Sequence, residues 1–221
     1  MISGRNDAGP VLIIGGAGFI GSNLARSFLA DGHDVRVVDN LARAGVERNL
    51  SWLRSLGEGR LEFVRADVTD GAAMRSAVGG AQAVYNFAAQ TAVTTSLDDP
   101  LGDFRTNALG TLNVLEAVRG QGGRIPVIFS STNKVYGGLE ALDMAETPDG
   151  YFPTDAGLRE RGISEAQPLD FCTPYGCSKG VADQYVLDYA SSYGLPTAVL
   201  RMSCIYGPRQ FGTEDQGWVA H

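Results

Sequence analysis

The sequence is poor in the residues that build metal centres and disulfide scaffolds. Its 221 residues include two histidines and three cysteines. The cysteines, Cys172, Cys177 and Cys204, are odd in number and form no C-x-x-C pair, so neither a structural metal site nor a disulfide framework is expected. Because the histidines are His33 and His221 alone, a Ser-His-Asp triad is not expected either.

Positive charge and long apolar runs are also scarce. Lys and Arg together number 18 against 25 Asp and Glu, which gives a formal net charge of −7, and no basic cluster is present to neutralise the phosphates of a nucleic acid. The longest apolar stretch, VLIIGGAGFI at 11–20, is too short and too rich in glycine to span a bilayer. The first ten residues lack the apolar segment of a secretory signal. We therefore expect a soluble cytoplasmic protein with no nucleic-acid or membrane partner.

Apolar runs bounded by turn residues recur along the chain and alternate with helix-like stretches. The runs lie at 11–16, 34–40, 61–67, 83–89, 127–131 and 197–207. Nearly continuous Val, Ile and Leu are typical of strands buried on both faces, and the alternation favours right-handed β-α-β units. The pattern predicts an α/β Rossmann domain over 10–207, with a doubly wound parallel sheet of six strands. The stretch 138–172 has no clear period and is predicted to be a surface excursion.

The first strand is followed by the glycine-rich string GGAGFIG at 15–21. Such a string is weak evidence alone, because a glycine turn without a ligand would look the same. Between a strand and a helix, however, glycines permit a tight turn and let the backbone approach a pyrophosphate at the positive end of the helix. This context predicts a dinucleotide site. The candidate contacts are Gly15, Gly18, Phe19, Ile20 and Gly21.

An acidic residue ends the second predicted strand. Asp39 lies eighteen residues after Gly21, where a carboxylate could accept hydrogen bonds from an adenosine ribose. Because a 2′-phosphate would meet a like charge, this placement favours NAD over NADP. An unrelated surface Asp is the alternative. Further cofactor contacts are predicted at Asn40, Asp67, Val68 and Ala88, although Asp67 and Val68 would serve equally well as an ordinary strand-to-helix cap.

A tyrosine and a lysine are four residues apart in TPYGCSK at 173–179. Pro174 suits the first turn of a helix, so Tyr175 and Lys179 should lie on one helix face. A free phenol has a pKa of ~10, and a neighbouring ammonium should lower it toward that of a useful base. Y-x-x-x-K is frequent by chance. Beside a glycine loop it predicts that Tyr175 removes a hydroxyl proton while hydride leaves the same carbon for NAD, and Lys179 is also a cofactor contact.

The fifth predicted strand ends in hydroxyl residues, in the string FSSTNKVYG at 129–137. A plain turn would account for them, because Ser, Thr and Asn hydrogen-bond to nearby backbone groups. Open α/β sheets, however, place their ligands at the carboxyl ends of the strands. Thr132 is therefore the predicted partner of the reacting hydroxyl and of Tyr175.

These motifs together give the chain a resemblance to a known family. SSTNKVYG, PYGCSKG and EDQGWV, with the glycine loop, resemble the NAD-dependent sugar-nucleotide epimerases and dehydratases of the extended short-chain dehydrogenase/reductase superfamily, over nearly all of 11–221. The resemblance implies a catalytic set of Thr132, Tyr175 and Lys179. It also implies a bound NAD that takes hydride from a nucleotide sugar and returns it to the opposite face, and a homodimer formed through the helices at 100–119 and 173–193.

The resemblance leaves several functions open. Dehydratases of this fold carry Asp and Glu directly after the threonine, whereas this sequence has Asn133 and Lys134, so epimerisation is favoured over 4,6-dehydration. Epimerisation at carbon 4 of the sugar remains an alternative, as does an NAD-binding regulator without catalysis. Family members continue into a smaller substrate-binding domain. We therefore expect 208–221 to be the start of a truncated domain, and a chain that retains NAD but turns over poorly.

Overall fold

A six-stranded parallel sheet forms the centre of the molecule. The computed structural model describes residues 9–57, 59–213, 217 and 219, so part of the predicted terminal region 208–221 lies outside the described residues. The strands among them are β1 (Val11–Ile14), β2 (Val35–Asp39), β3 (Leu61–Arg65), β4 (Ala83–Asn86), β5 (Val127–Thr132), β6 (Met144–Thr147), β7 (Gly150–Pro153) and β8 (Thr197–Met202). The main sheet has the order β3-β2-β1-β4-β5-β8. Each of its strand pairs is parallel, which confirms the predicted doubly wound α/β fold.

Helices cover both faces of this sheet. They are α1 (Phe19–Ala30), α2 (Val46–Leu56), α3 (Gly71–Val78), α4 (Val93–Asp98), α5 (Pro100–Phe104), α6 (Gly110–Gly120), α7 (Ala156–Arg161) and α8 (Thr173–Tyr193). A π-helical segment at Arg105–Leu109 joins α5 to α6, and a 3-10 turn at Asn133–Tyr136 follows β5. Among the helices just named, none is long and apolar enough to cross a membrane.

The central strand shows why the apolar runs are continuous. Leu12 and Ile14 pack in one cluster with buried residues of α3, α6 and α8, while Val11 and Ile13 pack on the other face with residues of α1 and α2. All four side chains are buried, and each contributes about 1.5–3 kcal/mol by leaving water. Because both faces are covered, the carboxyl edge of the sheet is the place left for a ligand.

The stretch 138–172 has more regular structure than its sequence indicates. β6 and β7 form an antiparallel pair separate from the main sheet, and α7 follows, with Asp155 accepting a hydrogen bond from the Leu158 amide at 2.7 Å. The sequence shows no period here because strands of four residues and a helix of six are too short to produce one.

Candidate active site

The glycine loop makes a tight turn at the end of β1. Gly15 has a φ of +76°, a conformation that costs glycine little, and its amide donates to the Val38 carbonyl at 2.8 Å. A Cβ on Gly15 would lie 2.7 Å from the Ala88 nitrogen, and one on Gly21 would lie 2.7 Å from the Gly16 Cα. A side chain at either position would therefore clash with backbone atoms and fill the space beside the loop that a ligand could occupy.

The start of α1 faces this loop with unpaired backbone donors. Gly18 is the capping residue of the helix and provides no side-chain cap, so Phe19 and Ile20 are in a first turn whose amides have no intrahelical partner. Amides at a helix start, together with the helix dipole, suit an anion. The loop and the helix start thus fit the pyrophosphate of a dinucleotide, by the close backbone approach that the glycines permit.

Asp39 lies beside the loop, at the end of β2. Its two carboxylate oxygens accept hydrogen bonds from the amides of Ala17, at 3.0 Å, and Leu41, at 2.8 Å. Burial raises the pKa of Asp39, and these backbone hydrogen bonds oppose the rise. The Gly18 amide also hydrogen-bonds to this carboxylate. Because a carboxylate has about four acceptor sites, Asp39 can hold the loop in place and still accept a hydrogen bond from a ribose.

The other predicted adenosine contacts lie at the ends of β2, β3 and β4. The Asn40 amide donates to Asp67 at 2.7 Å. Partial burial opposes the charge of Asp67, but hydrogen bonds from Thr69 and Asn40 lower its pKa. Val68 is buried and packs against Gly110, so its side chain belongs to the core. Asp67 and Asn40 form an ordered polar pair, and their contact with an adenine stays a prediction.

The predicted catalytic residues come together where β5 ends against the start of α8. Thr132 is the last residue of β5, and its side chain lies near enough to the Tyr175 phenol to offset part of the rise that burial causes in the pKa of that phenol. The Tyr175 amide donates to the Ser96 hydroxyl at 3.1 Å, which ties the first turn of α8 to α4. Tyr175 is 9% exposed. The phenol is thus fixed beside a hydroxyl that can share a proton with it.

Lys179 is buried one helical turn beyond Tyr175. Its ammonium donates to the Ser130 carbonyl at 2.5 Å and lies 4.2 Å from the centre of the Phe129 ring. Burial lowers the pKa of Lys179 to about 7, against the opposing charges of Asp183 and Asp103. The ammonium therefore titrates in the physiological range.

The lowering of the Tyr175 pKa by a neighbouring positive charge stays a prediction. Burial raises the pKa of Tyr175, and the nearby Thr132 side chain offsets part of the rise. The sequence indicates that a lysine is one turn away, but it does not show that both side chains are buried. Burial disfavours the charged form of a phenol and of an amine alike.

A polar network that sequence reasoning missed lies behind this pair. Asp103 is 1% exposed and accepts hydrogen bonds from Ser178, from Gln90 at 2.9 Å and from Asn107 at 3.1 Å. Burial raises the pKa of Asp103, and the hydrogen bond from Ser178 opposes the rise. These residues are far apart in sequence and match no motif, so no sequence signal pointed to them. Within the described ranges, no group of acidic, histidine and cysteine residues could hold a metal ion.

Comparison with known proteins agrees with this geometry. The model of the "NAD dependent epimerase/dehydratase family" matches residues 11–221, which is nearly the whole chain. The chain belongs to this family. A fellow member, CDP-paratose 2-epimerase from Salmonella typhi, is 49% identical over 211 residues, covering 95% of this chain and 61% of its own length.

Two further relatives represent other reactions of the epimerase/dehydratase family. dTDP-glucose 4,6-dehydratase from Mycobacterium tuberculosis is 35% identical over 202 residues, covering 90% of this chain and 54% of its own. The crystal structure of Thermus thermophilus UDP-glucose 4-epimerase in complex with NAD superposes with a TM-score of 0.75 at 35% identity, covering 96% of this chain and 60% of that one. The chain thus spans less than two thirds of the length of these relatives.

Proposed function

We propose that the protein is an NAD-dependent epimerase of a nucleotide sugar. The observation that carries the proposal is the placement of Thr132 at the end of β5 beside Tyr175 in the first turn of α8, with buried Lys179 one turn further along that helix, at the sheet edge that also carries the glycine loop. NAD, when bound, supplies a hydride acceptor that can return the hydride to the sugar. The family relationship supports the same cofactor and reaction class.

The residues of the chain divide the proton chemistry among them. Thr132 hydrogen-bonds to the reacting hydroxyl and orients it, and Tyr175 removes its proton as the carbon is oxidised and gives it back afterwards. Lys179 stabilises the phenolate by its charge. The burial of Tyr175 and Lys179 excludes water, which strengthens these interactions. The glycine loop and the start of α1 hold the pyrophosphate, and Asp39 holds the adenosine ribose.

The proposed substrate is a CDP-linked dideoxyhexose that is inverted at carbon 2. Its support is the 49% identity to the Salmonella CDP-paratose 2-epimerase. Asn133 hydrogen-bonds with Thr132 at 3.4 Å, in the place where a dehydratase would carry a carboxylate. A carboxamide cannot act as the general acid or base that elimination of water requires, so dehydration is disfavoured. Epimerisation at carbon 4 is the second candidate, supported by the fold similarity to UDP-glucose 4-epimerase.

A test of this function needs no added cofactor. The protein is incubated with a panel of nucleotide sugars in the absence of free NAD, and products are identified by chromatography and NMR. We expect an isomer of one CDP-sugar with no net consumption of cofactor. Binding of NAD without conversion of any sugar in the panel would instead support a regulator on the same fold.

The cofactor preference gives a first prediction. We expect NAD to bind at least about tenfold more tightly than NADP, because the Asp39 carboxylate would repel a 2′-phosphate. Asp39→Asn should reduce this preference, because it should weaken the binding of NAD and tighten the binding of NADP. Calorimetry with both cofactors measures it, and Asp31→Asn, which changes an exposed acidic residue after α1, is the matched control. Equal binding of the two cofactors by the unmodified protein would remove Asp39 from the ribose site.

Assembly gives a second prediction. We propose a homodimer through the helices at 100–119 and 173–193, together with the neighbouring α4. Leu97, Leu101 and Phe104 are at least half exposed and close together in sequence, which supports an apolar contact surface. Light scattering should give twice the chain mass of 23.4 kDa. Phe104→Glu should shift the protein to a monomer, whereas Met144→Glu, on β6 and similarly exposed, should not. A monomeric unmodified protein would contradict the proposal.

A further inference from the structure

A buried ion pair lies one helical turn beyond Lys179. Asp183 is fully buried, and its two carboxylate oxygens accept hydrogen bonds from the Arg201 guanidinium at 2.9 Å each. Ser131 donates to the same carboxylate at 2.6 Å, and Gln184 donates at 3.0 Å. With four donors from three elements, this carboxylate is among the most constrained groups in the molecule.

These bonds connect the elements that carry the candidate catalytic residues. Asp183 belongs to α8, which carries Tyr175 and Lys179. Ser131 lies in β5 directly before Thr132. Arg201 lies in β8 and also donates to the Tyr136 hydroxyl at 3.0 Å, at the end of the 3-10 turn that follows Thr132. One carboxylate therefore sets the position of α8 relative to both segments that flank Thr132.

Lys179 needs a compensating charge because its ammonium is out of water. Its nearest partners are the Ser130 carbonyl and the Phe129 ring of β5. The Asp183 carboxylate of α8 and the Asp103 carboxylate of α5 act on it from further away. A carbonyl and a ring stabilise a cation only in part. A carboxylate must therefore supply the counter-charge.

The two carboxylates differ in how firmly they hold a negative charge. Burial raises the pKa of Asp103 despite its hydrogen bonds. Burial also opposes the ionisation of Asp183, but the hydrogen bonds from Arg201 and Ser131 outweigh it and lower the pKa of Asp183. Asp183, which the Arg201 guanidinium holds by two hydrogen bonds, is therefore the better candidate for the counter-charge, and it lies four residues from Lys179 on the same helix face.

We propose that Asp183, held by Arg201, is a positioning residue that supplies the counter-charge of Lys179 and locks α8 onto the end of β5. Its effect on the pKa of Lys179 follows from the charges alone. Its effect on turnover rests on the proposed function. Asp183 contacts neither Tyr175 nor Thr132, so it acts through Lys179 and through the placement of the helix.

The chain offers a direct way to observe Lys179. Lys134 and Lys179 are the only lysines in the sequence, so protein labelled with carbon-13 at lysine gives two side-chain signals, which Lys134→Arg assigns. A pH titration of the Lys179 signal requires neither substrate nor turnover. Asp183→Asn removes a negative charge and leaves Arg201 without its partner, and we expect the pKa of Lys179 to fall by about one unit.

A second variant predicts a shift of opposite sign. Arg201→Gln removes a positive charge that offsets part of the effect of Asp183 on Lys179, so the pKa of Lys179 should rise. Asp183→Glu, which keeps the charge, should restore a value near that of the unmodified protein. Glu62→Gln, which breaks the Arg36–Glu62 pair across β2 and β3, is the control for loss of an ion pair. It should leave the pKa of Lys179 unchanged. If Asp183 had a purely structural role, the two variants would shift the pKa of Lys179 in the same direction or leave it unchanged. Either result overturns the proposal.

Kinetics then separate this inference from the proposed function. Asp183→Asn should lower kcat about tenfold and leave KM for the nucleotide sugar within about twofold, because the residue does not contact substrate. If the unmodified protein converts no nucleotide sugar while the opposite shifts of Lys179 are observed, the proposed function fails and the role of Asp183 as counter-charge stands. If the shifts are absent in an active enzyme, the inference fails and the function stands.

Discussion

Tyr175→Phe is expected to lower kcat about a thousandfold while NAD binds as it does to the unmodified protein. The substitution removes one hydroxyl from a side chain that is 9% exposed and keeps the ring that fills the space. General acid–base catalysis by a positioned group contributes about 10²–10⁴-fold. The Asn133 amide, which hydrogen-bonds with Thr132, cannot replace the phenol because a carboxamide is neither an acid nor a base near neutral pH. Steady-state kinetics give kcat, and calorimetry gives the affinity for NAD.

Tyr185→Phe is the matched control, since it removes a phenol hydroxyl from the same helix at a side chain that is 42% exposed. It should leave kcat and NAD affinity unchanged. A kcat for Tyr175→Phe equal to that of the unmodified protein would exclude the phenol as the proton carrier. A loss of NAD binding in that variant would show that Tyr175 holds the cofactor instead.

Gly21→Ala is expected to weaken NAD binding about 5- to 150-fold. A Cβ at this position would lie 2.7 Å from the Gly16 Cα, and its other near neighbours are also backbone atoms of the glycine loop, so no side chain can turn away to make room. The loop must shift, and overpacking of this kind costs about 1–3 kcal/mol. Because we propose that the loop amides bind the pyrophosphate, the cost should appear in the affinity for NAD, which calorimetry measures.

Gly120→Ala, at the end of α6, is the control for adding one methyl group. A Cβ there would meet no atom within 4 Å, so NAD binding and thermal stability should stay unchanged. An affinity for NAD in Gly21→Ala equal to that of the unmodified protein would contradict the assignment of this loop to the dinucleotide.

The elements that sequence reasoning predicted are those with a local signal. Val11–Ile14 is predicted to be a buried strand because four apolar residues in a row must be covered on both faces. The turn that follows is predicted from its glycines. Tyr175 and Lys179 share a helix face because four residues make about one turn. Each of these inferences needs information from a single short segment.

The parts that could not be predicted depend on contacts between distant segments. Arg201 reaches Asp183 across 18 positions and Ser131 reaches it across 52, and no motif joins these residues. The raised pKa of Tyr175 depends on burial by α4, α5 and β5, which a helical spacing does not reveal. Short elements such as β6 and β7 also leave no period to detect.

Transfer of hydride out of and back to one carbon is the central claim, and it is tested most directly by running the reaction of a CDP-linked sugar in deuterium oxide without added NAD. Product analysis by NMR and mass spectrometry locates any deuterium. The account predicts an epimer with no solvent deuterium at the inverted carbon, because hydride returns from the cofactor while Tyr175 exchanges protons only with the hydroxyl. Deuterium at the inverted carbon, or a 4-keto-6-deoxy product labelled at carbon 6, would contradict it.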